Sequence, residues 1–94
     1  GMTIKSMTIT LHIPWAASLK DKRMEVKSLL AKVQERFNVS AAEIASQDAH
    51  QLAVLGFVCI AADAGQADSI LEHVLCFIEN RTEAEITAVH YEFH

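Results

Sequence analysis

Hydrophobic and polar residues alternate near the start of the chain, and the pattern then becomes helical. Residues 7–13 are apolar at every odd position and threonine or histidine at every even one, which predicts a strand with one buried face. Pro14 ends this strand, because proline has no backbone N–H to donate to a sheet. Beyond Ser18, a typical N-cap residue, apolar residues recur at helical spacing as far as about Phe37. This second segment predicts a long amphipathic helix.

The rest of the chain shows two further strands, a helix and a last strand. Residues 38–46 mix apolar and polar side chains and predict a weaker strand, with a bulge where the alternation slips. Residues 52–62 are almost continuously apolar, which is typical of a central strand, and are predicted to form a hairpin with the weaker strand. Asp63 resembles the first residue of a capping box and begins a second predicted helix. A final strand is predicted over residues 86–93.

The resulting order is β-α-β-β-α-β, which right-handed crossovers fold into a ferredoxin-like split βαβ arrangement. This is an α+β fold with a four-stranded antiparallel sheet and both helices on one face. Residues 2–94 are predicted to form a single domain, and Gly1 before Met2 is typical of the remnant of a cleaved expression tag. One sheet face is left bare and partly apolar, and such surfaces usually contact a partner. We therefore predict a homodimer through the open sheet face or an edge strand.

The sequence also bears on where in the cell the protein is expected. No apolar run approaches the roughly 18–20 residues that a membrane-spanning helix needs, and the first residues lack the basic region and cleavage site of a signal peptide. A cytoplasmic protein without a membrane contact is expected. The two cysteines, Cys59 and Cys76, lie in apolar segments without metal-site or disulfide spacing, and both are expected to be buried thiols.

No catalytic or cofactor-binding motif is found in the sequence. It contains no G-x-S-x-G motif, P-loop or dinucleotide-binding fingerprint. Its five histidines show neither HExxH nor HxH spacing, although His12 and His90 would be neighbours if the first and last strands pair. No role follows from the sequence for these two or for His50. We predict a non-enzymatic protein that needs no metal and no cofactor.

Several segments resemble a known bacterial family. They are Leu11-His12-Ile13-Pro14, Ser18-Leu19-Lys20-Asp21-Lys22-Arg23, Lys27-Ser28-Leu29-Leu30, Arg36-Phe37-Asn38-Val39-Ser40 and Ala53-Val54-Leu55-Gly56. Together they are similar to the YlxP-like family, and the resemblance covers nearly the whole chain. The resemblance implies a ferredoxin-like fold. Genes of this family often lie beside genes for translation initiation and ribosome maturation. The resemblance implies no particular activity.

Charge is distributed unevenly along the chain. The formal net charge is −4, yet six of the eight lysines and arginines fall in the first predicted helix, beside only three of the twelve acidic residues. Lys20, Lys22 and Arg23 occupy the first turn of this helix. The helix dipole disfavours cations there, whereas free backbone N–H groups at that end favour an anion. The first turn is therefore better suited to binding an anion than to stabilising the helix.

These residues predict an anion-binding or RNA-binding site at the amino end of the first helix. At about 100° per residue, Lys20, Arg23 and Lys27 form one stripe that would follow a nucleic-acid backbone. Trp15, in the preceding loop, is placed to stack on a base. The candidate site comprises Trp15, Ser18, Lys20, Lys22, Arg23 and Lys27.

Two alternatives to an anion-binding or RNA-binding site stay open for these residues. The cations of the first helix are either solvated or paired with acids of the same domain, and in both cases Trp15 covers an edge of the core. The protein would in that case be a homo-oligomeric interaction or regulatory module that binds a protein or a small ligand and has no nucleic-acid role.

Overall fold

The structure is a computed structural model that describes all residues from Gly1 to His94. Its elements, in chain order, are β1 (Thr3–His12), α1 (Leu19–Arg36), β2 (Ser40–Ala45), β3 (Leu52–Ala61), α2 (Ala64–Arg81) and β4 (Glu85–Phe93). The four strands form one antiparallel sheet in the order β2-β3-β1-β4. The predicted α+β ferredoxin-like fold is therefore confirmed. Neither helix is long and apolar enough to cross a membrane.

Both helices begin where the sequence supplies a capping side chain. Ser18 Oγ accepts a hydrogen bond of 3.1 Å from the backbone N–H of Asp21. Asp63 Oδ1 accepts one of 2.8 Å from the backbone N–H of Gln66. These bonds satisfy N–H groups that have no partner within a helix. The helix starts predicted from Ser18 and Asp63 are confirmed.

The core lies between the two helices and one face of the sheet. Alternate residues of β1 and β3 point toward the helices, whereas α1 and α2 contribute one apolar stripe each. The core includes Met7, Ile9, Leu11, Ile13, Leu55, Phe57, Val26, Leu29, Val33, Leu71, Val74 and Ile78, all at most 4% exposed. The opposite face of the sheet is not covered by either helix.

The bulge predicted in the second strand is also present. The β2–β3 register shifts between Glu43 and Ala45. Ile44 consequently lies over Gly56 on the uncovered face, where a Cβ atom at position 56 would come within 3.0 Å of Ile44 Cγ2. A side chain at position 56 would therefore require the half-exposed Ile44 side chain to shift.

The two cysteines differ in environment. Cys59 is buried in β3, as expected, and its burial raises the pKa of its thiol above the ordinary value of 9.0. Cys76 is exposed, so the expectation that it is buried is wrong. The buried stripe of α2 runs through Val74 and Ile78, and helical geometry turns Cys76 away from it. An apolar helical segment still has an outward side.

Candidate anion-binding site

Lys22 points into the protein rather than into solvent. Its side chain is fully buried, and Nζ lies 2.8 Å from Ser46 O, 3.0 Å from Leu52 O and 3.3 Å from Gln47 O. It also lies 2.8 Å from Glu43 Oε2, an oxygen that has no other polar partner. These acceptors engage all three N–H donors of an ammonium group. The prediction that Lys22 binds an external anion is therefore corrected.

A signal for this burial is present in the sequence. Lys22 precedes Val26 by four residues and Leu29 by seven, so it shares the face of α1 that packs on the sheet. The predicted site included every cation in the first turn of α1, without regard to which face of the helix each one occupies. The acceptors themselves come from the β2–β3 turn, which no local pattern connects to α1.

Lys22 and Gln51 join the two loops at this end of the domain. Gln51 Nε2 donates to Pro14 O at 3.2 Å and to Ala16 O at 3.3 Å. Ala16 is fully buried, whereas its neighbour Trp15 is 47% exposed. The loop that carries Trp15 is thus anchored on the β2–β3 turn, and the indole does not belong to the core.

Ser18 and Asp21 cap the start of α1. Besides the bond to Ser18 Oγ described above, Asp21 Oδ2 accepts a hydrogen bond of 3.1 Å from the backbone N–H of Ala17. The carboxylate of Asp21 also complements the positive end of the helix dipole. The backbone N–H groups of Leu19 and Lys20 make no hydrogen bond within the protein. Ser18 is therefore a helix cap, and two free donors remain beside it.

Lys20, Arg23 and Lys27 are exposed, and none of the three makes an ion pair within the protein. At 1.5 Å per residue they extend over about 10 Å of α1. Arg23 and Lys27 line a groove of about 590 Å³ between α1 and β2. Glu43 lines the same groove, but its carboxylate is paired with Lys22. These three cations are solvated and not neutralised by acids of the domain.

A second group of cations, outside the predicted site, lies on the other side of α1. Lys32, Arg36 and Arg81 line a groove of about 410 Å³ beside Phe77. The guanidinium carbons of Arg36 and Arg81 lie 5.4 and 4.6 Å from the centre of the Phe77 ring, within the range of cation–π contacts. Both arginines also fall in the last turn of their helix, where the dipole favours cations. Stability accounts for their positions.

The histidines do not come together. His12 Nδ1 lies 3.5 Å from Glu85 Oε1, and His90 is opposite Thr8 in the β1–β4 ladder. His12 and His90 are thus not direct neighbours, although their strands do pair. His50 is exposed in the β2–β3 turn. No group of three or more histidine, cysteine, aspartate or glutamate side chains is arranged to hold a metal ion.

Comparison with known proteins agrees with the family resemblance. A family model described as "Protein of unknown function (DUF503)" matches residues 4–91, which include both helices and nearly all of the sheet. The chain is also 38% identical over 78 residues to "Uncharacterized protein YlxP" of Bacillus subtilis (strain 168), an alignment that covers 83% of this chain and 85% of the relative. The resemblance to the YlxP-like family is confirmed, and the chain belongs to the DUF503 family.

Proposed function

We propose that this protein is a cytoplasmic, non-enzymatic RNA-binding protein that contacts structured RNA through the amino-terminal half of α1. One observation carries the proposal. In a protein with twelve acidic and eight basic residues, Lys20, Arg23 and Lys27 are exposed together without an acidic partner. Cations that are free of internal partners are those that can neutralise phosphates and release their counterions.

The surroundings of these cations suit RNA as the anion. The free N–H groups of Leu19 and Lys20 are donors at the positive end of a helix, where phosphate oxygens bind well. The half-exposed indole of Trp15 supplies a surface for base stacking, an interaction worth about 1–3 kcal/mol per base. Because Gln51 fixes the Trp15 loop in advance, binding costs less conformational entropy.

The open sheet face is a poorer RNA surface than α1. RNA-recognition domains of similar topology stack bases on aromatic side chains of the two central strands. Phe57 of β3 is buried on the helix side, and Tyr91 and Phe93 of β4 pack on that same side near Lys5. The uncovered face presents histidines such as His12 and His90 but no phenylalanine, tyrosine, tryptophan, lysine or arginine side chain. RNA contact therefore belongs to the helix layer.

Fluorescence anisotropy with a structured ribosomal RNA fragment tests the proposal. Ribosomal RNA is the appropriate probe because the YlxP-like resemblance implies genes beside those for ribosome maturation. The test variant is Lys20→Glu/Arg23→Glu/Lys27→Glu, and the matched control is Lys32→Glu/Arg36→Glu/Arg81→Glu. Both variants change the net charge equally, on opposite sides of α1, and both are checked for folding by circular dichroism.

We expect wild-type affinity to fall steeply between about 50 and 200 mM salt, and to fall at least about 100-fold in the test variant. The control should stay within about tenfold of the wild type, because only the change in net charge acts on it. An equal loss in both variants would mean that the attraction is general. Absence of binding by the wild type at low salt would overturn the proposal and favour an interaction module without a nucleic-acid role.

A further inference from the structure

β4 forms one border of the sheet, and its outer edge is unpaired. It pairs only with β1, and residues 88–93 keep a regular register after the irregularity at Thr87. These residues include neither proline nor lysine, which commonly block the edge of a sheet. The other border, β2, has only six residues, a register shift within them and α1 packed against it. β4 is therefore the border that can accept a further strand.

Alternation along the β1–β4 ladder identifies the free backbone groups. His94 N donates a hydrogen bond of 2.9 Å to Ile4 O, so the even-numbered residues of β4 from 88 onward direct their N–H and C=O groups toward β1. Val89, Tyr91 and Phe93 direct theirs outward. These three residues, called the free edge of β4, offer donors and acceptors at the spacing that an added strand requires.

The side chains of the free edge lie on the helix side of the sheet but beyond the helices. They are level with Ile9, Met7 and Lys5 of β1, whereas α2 packs on β3 and β1. Tyr91 is 39% exposed and Phe93 is 54% exposed. Aromatic rings at such positions pack against side chains of a neighbouring strand. The free edge therefore supplies apolar contacts as well as hydrogen bonds.

The side of α2 that faces β4 is acidic. Asp68, Glu72 and Glu79 lie within about 40° of one another around the helix axis, and we call them the acidic flank of α2. Burial raises the pKa of Tyr91 above 10.0 against the opposing charge of Lys5, and Glu72 and Glu79 add to the rise, so both carboxylates lie near this ring. Lys5 pairs with Asp68, whereas Glu72 and Glu79 make no ion pair. Two carboxylates beside the free edge are thus not neutralised.

We propose that the free edge of β4 binds an extended segment of another protein that carries lysine or arginine at alternate positions. The segment pairs with the backbone of the free edge as a fifth strand of the sheet. Its helix-side residues recur about every 6.8 Å, and Glu72 and Glu79 are about 10.5 Å apart along α2. Two long cationic side chains therefore reach the two carboxylates, while their aliphatic stems cover the exposed rings of Tyr91 and Phe93.

Charge argues against a second copy of this chain as the occupant. Pairing β4 with β4 of another copy would bring two acidic flanks to the same surface, and β4 contains no lysine or arginine to neutralise them. A basic segment supplies the opposite charge, which favours encounter and fixes the register. The site uses none of the exposed cations of α1, so it is independent of the RNA-binding function proposed above.

NMR titration of the isotope-labelled full chain tests the proposal. The probe is a capped peptide of about seven residues in which lysine alternates with valine, long enough to span the free edge. One control peptide has glutamate in place of lysine, and another has the lysine sequence with alternate backbone amides methylated. Only the unmodified lysine peptide should give saturable shifts in residues 88–93 and in the acidic flank of α2.

Hydrogen exchange on the wild type provides a control within the same strand. In the complex, exchange should slow at the N–H groups of Val89, Tyr91 and Phe93, which bond to the added strand. The N–H groups of the even-numbered residues between them already bond to β1 and should change little. This alternation distinguishes an added strand from general attraction between opposite charges.

The protein variants test the charge requirement. Glu72→Lys/Glu79→Lys should weaken binding of the lysine peptide at least about tenfold, because it replaces attraction by repulsion at the site. Glu35→Lys/Asp48→Lys makes the same change in net charge away from β4 and should stay within about threefold of the wild type. All four side chains are exposed and form no ion pair, so both variants should fold.

Three results would overturn the proposal. The first is no binding of the lysine peptide up to about 1 mM, where even weak specific association is detectable. The second is equal binding of either control peptide. The third is slower exchange at Val89, Tyr91 and Phe93 when the protein alone is concentrated, which would give the edge to a second copy. RNA binding is measured separately, so a failure of either proposal leaves the other one standing.

Discussion

The inward and outward sides of the first turns of α1 use the same residue type in opposite ways. Lys20 is exposed and makes no ion pair, whereas Lys22, two residues later, is fully buried among four oxygen atoms within 3.3 Å. The difference between them is helical phase. A lysine on the apolar stripe of α1 is buried inside the domain, and only a lysine outside the stripe is available to a ligand.

The buried Lys22 and the exposed cations of α1 also differ in how they affect the stability of the protein. Removing an ammonium group from water costs several kcal/mol even after relaxation, so burial is tolerated only where hydrogen bonds and an opposite charge compensate it. The β2–β3 turn and Glu43 provide that compensation for Lys22. Exposed cations contribute little to stability. Stability and RNA binding should therefore respond separately to changes on the two sides of α1.

The largest effect is expected for Lys22→Met. The substitution leaves three carbonyl groups and the Glu43 carboxylate without their partner, which should lower the free energy of unfolding by about 3–5 kcal/mol. Urea denaturation measures this loss. Lys20→Met is the matched control and should change stability by less than about 0.5 kcal/mol. Equal stabilities of the two variants would contradict the contrast between the two lysines.

Substitutions on the outward side of α1 should change the salt dependence of RNA binding. Lys20→Gln, Arg23→Gln and Lys27→Gln should each lower the slope of log affinity against log salt concentration by about 1, because each removes one phosphate contact. Anisotropy titrations at several salt concentrations measure the slope. Lys32→Gln, the same substitution on the other side of α1, should leave the slope unchanged. A reduced slope in that control would show that phosphate contacts extend beyond the proposed site.

Ser18→Ala should have a smaller effect, on stability. Loss of the hydroxyl that accepts from Asp21 N should lower the free energy of unfolding by about 1 kcal/mol. Ser28→Ala, the same substitution at an exposed interior position of α1, should not destabilise the protein, since alanine has the higher helix propensity. Thermal or urea denaturation distinguishes the two variants. Equal effects would mean that Ser18 acts only through propensity.

The smallest effect concerns the thiols, which repeat the contrast between inward and outward positions. Cys76 should react with a thiol reagent in the folded protein, whereas Cys59 should react only on unfolding. Because burial raises the pKa of the Cys59 thiol above 9.0, the unfolded thiol ionises first as pH rises. The stabilisation that comes from keeping this thiol neutral is complete below pH 9.0 and declines above it. Equal labelling rates in the folded state would contradict the assigned environments.

The fold was predictable because its signals are local. Periodicity places the strands and helices, and Ser18 and Asp63 set the helix starts. The first strand begins at Thr3, earlier than predicted. The alternation does not reveal this start, because Lys5 occupies an inward position at which the pattern requires an apolar residue. Its ammonium group pairs with Asp68, a contact with a residue far along the chain.

The site was predictable only in part. The exposed cations follow from charge and helical phase, but the fixed geometry of the Trp15 loop depends on Gln51, which donates to carbonyls more than thirty residues earlier in the chain. Lys22 likewise reaches the β2–β3 turn. Hydrogen bonds between distant segments leave no periodic trace in a sequence. Such bonds decide which cations are free.

Trp15 gives the most direct test of the proposed RNA contact, because it is the only tryptophan in the chain. Its fluorescence would be recorded during titration with the ribosomal RNA fragment at low salt, and again at moderate salt. We expect saturable quenching as a base stacks on the exposed indole, with an affinity that falls as salt rises. Binding detected by anisotropy with unchanged Trp15 fluorescence would place the RNA elsewhere on the protein and contradict the proposed contact.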